Sequence, residues 1–150
     1  MKKRSPEWWA AQRPEVVGKE TEMMVIEELD RLNNKLDFAY HRLPDAKAAR
    51  NALAAQPADF IVSAGKGMYL EVKAIKHIYR VPKDKIRQLA LLKKFELAGM
   101  PAAIIIHHYT EGIWRVVRPK DLEFGVSSWD ISSAYGYTSV SEAVREALYG

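Results

Sequence analysis

The chain has 150 residues, 48% hydrophobic and 28% charged, which suits one soluble globular domain and excludes two comfortable ones. It has no cysteine, so disulfides and thiolate metal sites are excluded, and a cytoplasmic location is expected. Net charge is +4, but residues 72–120 hold 11 basic against 3 acidic side chains, a concentration that suits a polyanion partner.

The N-terminus, MKKRSPEWWAAQRPE, is basic but no apolar stretch follows, so it does not read as a signal peptide. Its paired Trp8 and Trp9 and its two prolines describe an arm over residues 1–15, docked on this domain or on a second subunit. A helix is predicted from Val16 to about Leu36, because Val25, Ile26, Leu29, Leu32 and Leu36 recur at helical spacing. Leu36 to Leu43 reads as a first strand. The alanine-rich stretch PDAKAARNALAAQP, bounded by prolines, fits a short helix or a loop. No apolar run approaches the roughly 20 residues of a membrane span.

PADFIVSAGKGMYLEVKA, residues 57–74, then has the form of a hairpin turning at Gly65. Antiparallel partners around that turn set Ser63 against Gly67, Ile61 against Tyr69 and Asp59 against Glu71. Alternation puts Lys73 on the face of Glu71, while Phe60, Val62, Leu70 and Val72 point to the other face. Two opposed carboxylates repel unless a positive group lies between them. Lys73 compensates in part; a hard divalent cation does so better, with the Val72 carbonyl as a further oxygen donor. The plain alternative is a hairpin with a charged outer face, on which Asp59 and Lys73 form a surface pair.

A second helix is predicted from about Lys83 to Ala98, with Gly99 at C′ and Pro101 beyond it. AAIIIHHY suits a central strand covered on both faces, and GIWRVVRP a further strand. Ser139 and Glu142 stand at capping-box spacing before a tail helix. The order describes an α/β domain, a mixed sheet flanked by helices. His107 and His108 lack the spacing of a zinc site, GKG at 65–67 lacks the Walker pattern, and residues 127–139 have no nameable role.

PAD at 57–59 followed by EVK at 71–73 resembles the signature of the PD-(D/E)xK nucleases, with Ala58 intervening where most members have Pro directly before Asp. GKETE at 18–22 is similar to the glycine-then-glutamate start of the first helix in Holliday junction resolvases of archaeal, phage and RecU type. Gln88, the apolar strand 102–106, Trp114 and RPKDL follow in the order of those enzymes, so the resemblance spans roughly residues 17–122.

The resemblance implies a restriction-endonuclease-like core with a mixed five-stranded sheet, over residues 16–122, with 123–150 as a C-terminal extension. It implies a homodimeric endonuclease that uses Mg²⁺, with Mn²⁺ able to substitute, to cut branched DNA. Asp59 and Glu71 would hold the metal, Lys73 would position or activate water, and an acid on the first helix would complete the set. Glu22, four residues after Gly18 and beside the apolar stripe, is preferred to Glu20. Gln88 would reach the phosphate or a water. Lys83, Arg87 and Lys94, read on one arc of the second helix, with Lys76, Arg80, Arg115 and Arg118, would meet the DNA backbone. Two alternatives keep the fold: a nuclease of linear or single-stranded DNA, and a DNA-binding module with a degenerate site.

Overall fold

The computed structural model describes residues 4–44, 56–77 and 79–150. The alanine-rich stretch, read as helix or loop, lies mostly outside the described residues.

Helix α1 (Pro6–Ala11) is capped by Ser5, whose side chain accepts from the Trp8 N–H at 3.1 Å. Helix α2 (Pro14–Leu32) starts on a proline at its first position, where a missing N–H costs nothing. It ends at Leu32, four residues short of Leu36, with Asn33 as its C-cap. Leu36 is fully exposed, so the apolar stripe extends one residue too far in the sequence reading. The run Asn33-Asn34-Lys35 turns the chain instead, as expected for residues whose side chains compete for backbone hydrogen bonds.

The sheet contains β1 (Phe38–Arg42), β2 (Phe60–Ala64), β3 (Gly67–Ile75), β5 (Ala102–His108) and β6 (Ile113–Val117), in that spatial order. Only β3 and β5 run parallel; the other neighbours are antiparallel. This is the mixed five-stranded sheet that the resemblance implies. All seven residues of β5 are buried, as expected for a strand covered on both faces. A separate ribbon pairs β4 (Arg80–Pro82) with β7 (Ser128–Asp130), strands too short to announce themselves in the sequence.

Two cores cover the two faces. On one, Val25 and Leu29 of α2 and Ala143, Val144, Ala147 and Leu148 of α4 (Val140–Tyr149) pack on the inward residues of the sheet, among them Phe60, Val62, Leu70 and Val72. Ser139 caps α4, its hydroxyl accepting from the Glu142 N–H at 3.2 Å, as the spacing predicts. On the other face, α3 (Leu89–Leu97) contributes Leu89 and Leu92, with Ile86, Val81, Leu122, Trp129 and Ile131 over Ile104 and Ile106. Gly99 follows α3 at φ +103°, where a side chain would be strained.

The second predicted helix needs correction at its start. Lys83–Lys85 form a separate 3₁₀ turn, and Ile86 leaves helical geometry at φ −119°, ψ 72°. That break turns Ile86 into the second core, where it is 2% exposed. Burial of an isoleucine therefore outweighs helix continuation here.

Of the two docking partners allowed for the tryptophan pair, Trp9 uses this domain. It is 5% exposed and meets His107 edge-on, 5.0 Å between ring centres. His107 stacks on Trp114 at 3.9 Å and is hydrogen-bonded to the Thr21 hydroxyl at 2.8 Å. Burial, then the neighbouring His108, pushes the His107 pKa down to about 3, so the ring is neutral and packs as an aromatic. Trp9→Ala is expected to cost about 3 kcal/mol by removing this wall. A urea unfolding midpoint that stays put would show the arm to be undocked in solution.

Candidate active site

The pairing of β2 with β3 runs from Ser63↔Gly67 to Phe60↔Leu70 and stops there. This is the register predicted from the Gly65 turn, which has φ +94°. Beyond it, from Glu71 onward, β3 still pairs with β5 but has lost its neighbour on the other side. The Val72 N–H, freed from the ladder, donates to Asp59 Oδ2 at 2.8 Å. Asp59 thus meets β3 through its carboxylate, one residue after the strands part. The Val72 carbonyl points to the same vacated side, because N–H and C=O of one strand residue share a direction.

A cleft of about 530 Å³ opens along this free edge. Glu71, Val72, Lys73 and Asp59 line it, together with Glu22 of α2, Arg42 of β1, and Asp84, Lys85, Arg87 and Gln88 from the segment before α3. Side chains from both faces reach one cleft because the sheet itself is interrupted there. Strand alternation puts Glu71 and Lys73 on the α3 side and Val72 on the α2 side.

Glu71 is 4% exposed, and its Oε1 is enclosed without a hydrogen-bond partner. Burial raises its pKa well above the ordinary carboxyl range, and the facing Asp59 raises it further. Lys73 and the Val72 N–H oppose that rise without cancelling it. Such a buried, unpartnered carboxylate oxygen is costly unless a cation or a proton meets it.

The first-helix acids separate clearly. Glu22 lines the cleft and pairs with Arg42, whereas Glu20 pairs with Arg4 at 3.6 Å and does not line it. Gly18 also lines the cleft, but α2 has already begun at Pro14. Gln88 sits at the N-cap of α3 and Arg87 just before it, both at the cleft. The single arc for Lys83, Arg87 and Lys94 does not exist, because the 3₁₀ turn and Ile86 divide it. Lys76, Arg80, Lys83 and Lys94 are exposed and lie outside the cleft lining. Arg118 donates to the carbonyls of Glu146 and Ala147 at 3.0 and 2.9 Å, capping α4. Arg115 is 6% exposed. Neither of these two is a plain backbone-contact residue.

Sequence reading missed Arg42, Asp84 and Lys85. Arg42 carries a weak signal, a cation ending the inward-facing series Phe38, Tyr40, Arg42 on an otherwise apolar face. Asp84 and Lys85 were hidden by the assumption of a continuous helix.

Among the described residues, no three or more His, Asp or Glu side chains stand close enough together to hold a metal ion. Asp59, Glu71 and the Val72 carbonyl still fit Mg²⁺, which keeps several waters and is often bound through one or two carboxylates. The orphaned Glu71 oxygen is the specific feature that such an ion would satisfy.

Among solved structures, the chain is similar to Hjc, a Holliday junction resolvase from the archaeal hyperthermophile Archaeoglobus fulgidus. The TM-score is 0.54 at 19% identity, covering 85% of this chain and 99% of that one. The likeness shows a shared restriction-endonuclease-like fold, a mixed five-stranded sheet flanked by helices, as the resemblance implies. No protein-family model matches the chain, and no curated protein does. Among the described residues, no helix is long and apolar enough to cross a membrane.

Proposed function

We propose that this protein is a divalent-metal-dependent endonuclease that resolves four-way DNA junctions as a homodimer. The observation that carries the reading is the buried Glu71 carboxylate, unpartnered at Oε1 and facing Asp59, with Lys73 two residues along the same strand. The fold shared with an archaeal resolvase supports the junction as substrate. A dimer matches the two-fold symmetry of such a junction.

Asp59 and Glu71 would hold Mg²⁺ with the Val72 carbonyl, and Mn²⁺ would substitute. When bound, the ion neutralises charge at the phosphate and acidifies water. The protein's own groups do the positioning. Lys73, half-buried at the cleft, places its ammonium where it orients water and offsets negative charge at phosphorus. Glu22, held by Arg42, adds a carboxylate to the cleft that Glu71 also lines. Gln88 offers a neutral donor and acceptor to the phosphate or to water. Exposed Lys76, Arg80, Lys83, Arg87 and Lys94 would contact the DNA backbone, which predicts affinity falling steeply with salt.

The test is cleavage of a four-way junction, a linear duplex and a single strand, each with and without Mg²⁺. The expected result is junction cleavage that requires the metal and exceeds duplex cleavage at least about tenfold. Metal-dependent cutting of the linear or single-stranded substrate alone would assign a different nuclease. No product in any lane would overturn the enzyme reading and leave a DNA-binding module, which the lack of a three-acid cluster among the described residues would then explain.

A further inference from the structure

Residues 127–139, SSWDISSAYGYTS, have no part in the cleft, yet a buried arginine holds them. Arg115 on β6 is 6% exposed and donates through Nη1 to the carbonyl of Ala134 and, at 3.4 Å, to that of Ile131. Its guanidinium also lies 5.6 Å from the ring centre of Tyr79. The Tyr79 carbonyl accepts from the Ile131 N–H at 2.8 Å, tying that residue to the same loop. Burying a guanidinium is unfavourable unless its donors are used. Here Nη1 is spent on the two loop carbonyls, which ties the loop to β6, while Nε is enclosed without a partner.

What the loop presents is aromatic. Tyr135 is 72% exposed and Tyr79 is 54% exposed, each with ring surface that the protein leaves uncovered. Tyr137 packs against Tyr135 at a tilt, 4.8 Å between ring centres. Between them, a Cβ at Gly136 would come within 3.1 Å of Ile113, so the backbone there lies directly on β6. The tyrosines are therefore mounted on the sheet.

Strand register places this patch relative to the cleft. Lys73, Ile106 and Arg115 are opposed in one row across β3, β5 and β6. Two strand spacings separate Lys73 from Arg115, about 10 Å. Exposed Lys76 lies on the connection from the cleft towards Tyr79, and exposed Arg80 follows it. Arg80 donates to the Ser128 hydroxyl at 3.1 Å, and the nearby Asp130 carboxylate is occupied by the Ser132 N–H at 2.9 Å.

We propose that Tyr79 and Tyr135 form a stacking platform for unpaired DNA bases, such as those exposed where a branch opens beside the cleft. Open ring faces next to cations are the chemistry of single-strand binding: bases stack on the rings and phosphates meet Lys76 and Arg80. The platform deepens the nuclease reading and takes from it the direction of the DNA, but its chemistry is separate from cleavage.

The test is fluorescence anisotropy without divalent metal, using labelled oligo(dT), a four-way junction and a fully paired duplex. Tyr79→Ala and Tyr135→Ala should each weaken oligo(dT) binding roughly 5- to 100-fold, and the Phe variants should stay close to wild type, because stacking uses the ring. Duplex binding should be unchanged, and junction binding should fall with the Ala variants. Tyr135→Gln serves as a second variant should Tyr135→Ala melt early. Wild-type indifference to oligo(dT), or Ala variants that bind it normally, would overturn the platform. So would Phe variants that lose as much as Ala. Because oligo(dT) binding needs no catalysis, a protein inactive on every substrate still answers this question. An active junction endonuclease with insensitive oligo(dT) binding would remove the platform alone.

Discussion

Asp59→Asn lowers junction cleavage at least about 10³-fold while leaving junction binding and folding intact, if the carboxylate holds a catalytic cation. Asparagine is the informative replacement because it separates two roles. Its side-chain oxygen can still accept from the Val72 N–H, now bonded to Asp59 Oδ2 at 2.8 Å, so the link between the parted strands is retained. Only the negative charge is lost. Asp59→Ala removes the link as well, and is expected to cost about 1 kcal/mol of stability in addition. Gel-shift affinity, circular dichroism and cleavage rates on the same preparations check the pattern. Full activity in the Asn variant would remove Asp59 from the chemistry; unfolding of that variant would make Asp59 structural.

Glu71→Gln is expected to abolish cleavage to a similar extent and, unusually for a buried change, to raise stability at neutral pH without metal. The Glu71 pKa is raised by burial first and by Asp59 second, so the folded chain keeps this proton to higher pH than the unfolded chain does. The contribution is therefore fully present below the unfolded-chain pKa of about 4.3 and is lost as pH climbs through the raised folded value. Glutamine stays neutral throughout and fills nearly the same space. Its advantage in melting temperature should grow from near zero in acid to a few degrees at pH 8, at roughly 2–4 °C per kcal/mol for a chain of this size. Adding Mg²⁺ should narrow the gap, since an ion that binds only the folded wild type stabilises it by mass action. Scanning calorimetry at several pH values, with and without Mg²⁺, reads both effects. A difference that is flat with pH would mean that Glu71 is satisfied in a way unrelated to charge.

The parts of the fold legible in sequence were those written by local chemistry. Gly65 set the register of β2 on β3, but that register holds only as far as Phe60 against Leu70. The expected Asp59–Glu71 strand pair is replaced by the Val72 N–H bond to the Asp59 carboxylate. Ser139 and Glu142 marked the start of α4, and the unbroken apolar run of β5 announced its burial on both faces. The misreadings arose where tertiary packing overrode periodicity. Leu36 continued an apolar stripe but lay past the Asn33-Asn34 turn, and Ile86 broke a plausible helix by entering the second core. The β4–β7 ribbon joins Arg80–Pro82 to Ser128–Asp130, a pairing too short and too distant in sequence for any local pattern to reveal.

The same distinction holds at the cleft. Asp59, Glu71 and Lys73 share one hairpin and could be placed by alternation. Glu22 needed the resemblance to be preferred over Glu20. Arg42 belongs to a third strand and meets Glu22 only because α2 packs across the face of the sheet on which Arg42 lies. No sequence pattern shows that β2 leaves β3 at Phe60, and that parting is what opens the cleft.

The central claim is that Asp59 and Glu71 hold one divalent cation at the free edge of β3. Anomalous diffraction from crystals soaked in Mn²⁺ tests it most directly. The expected result is one manganese peak per chain bridging the two carboxylates, absent from Glu71→Gln crystals under the same soak. An empty position in the wild type, with Asp59 and Glu71 turned to solvent or sharing a proton, would contradict it.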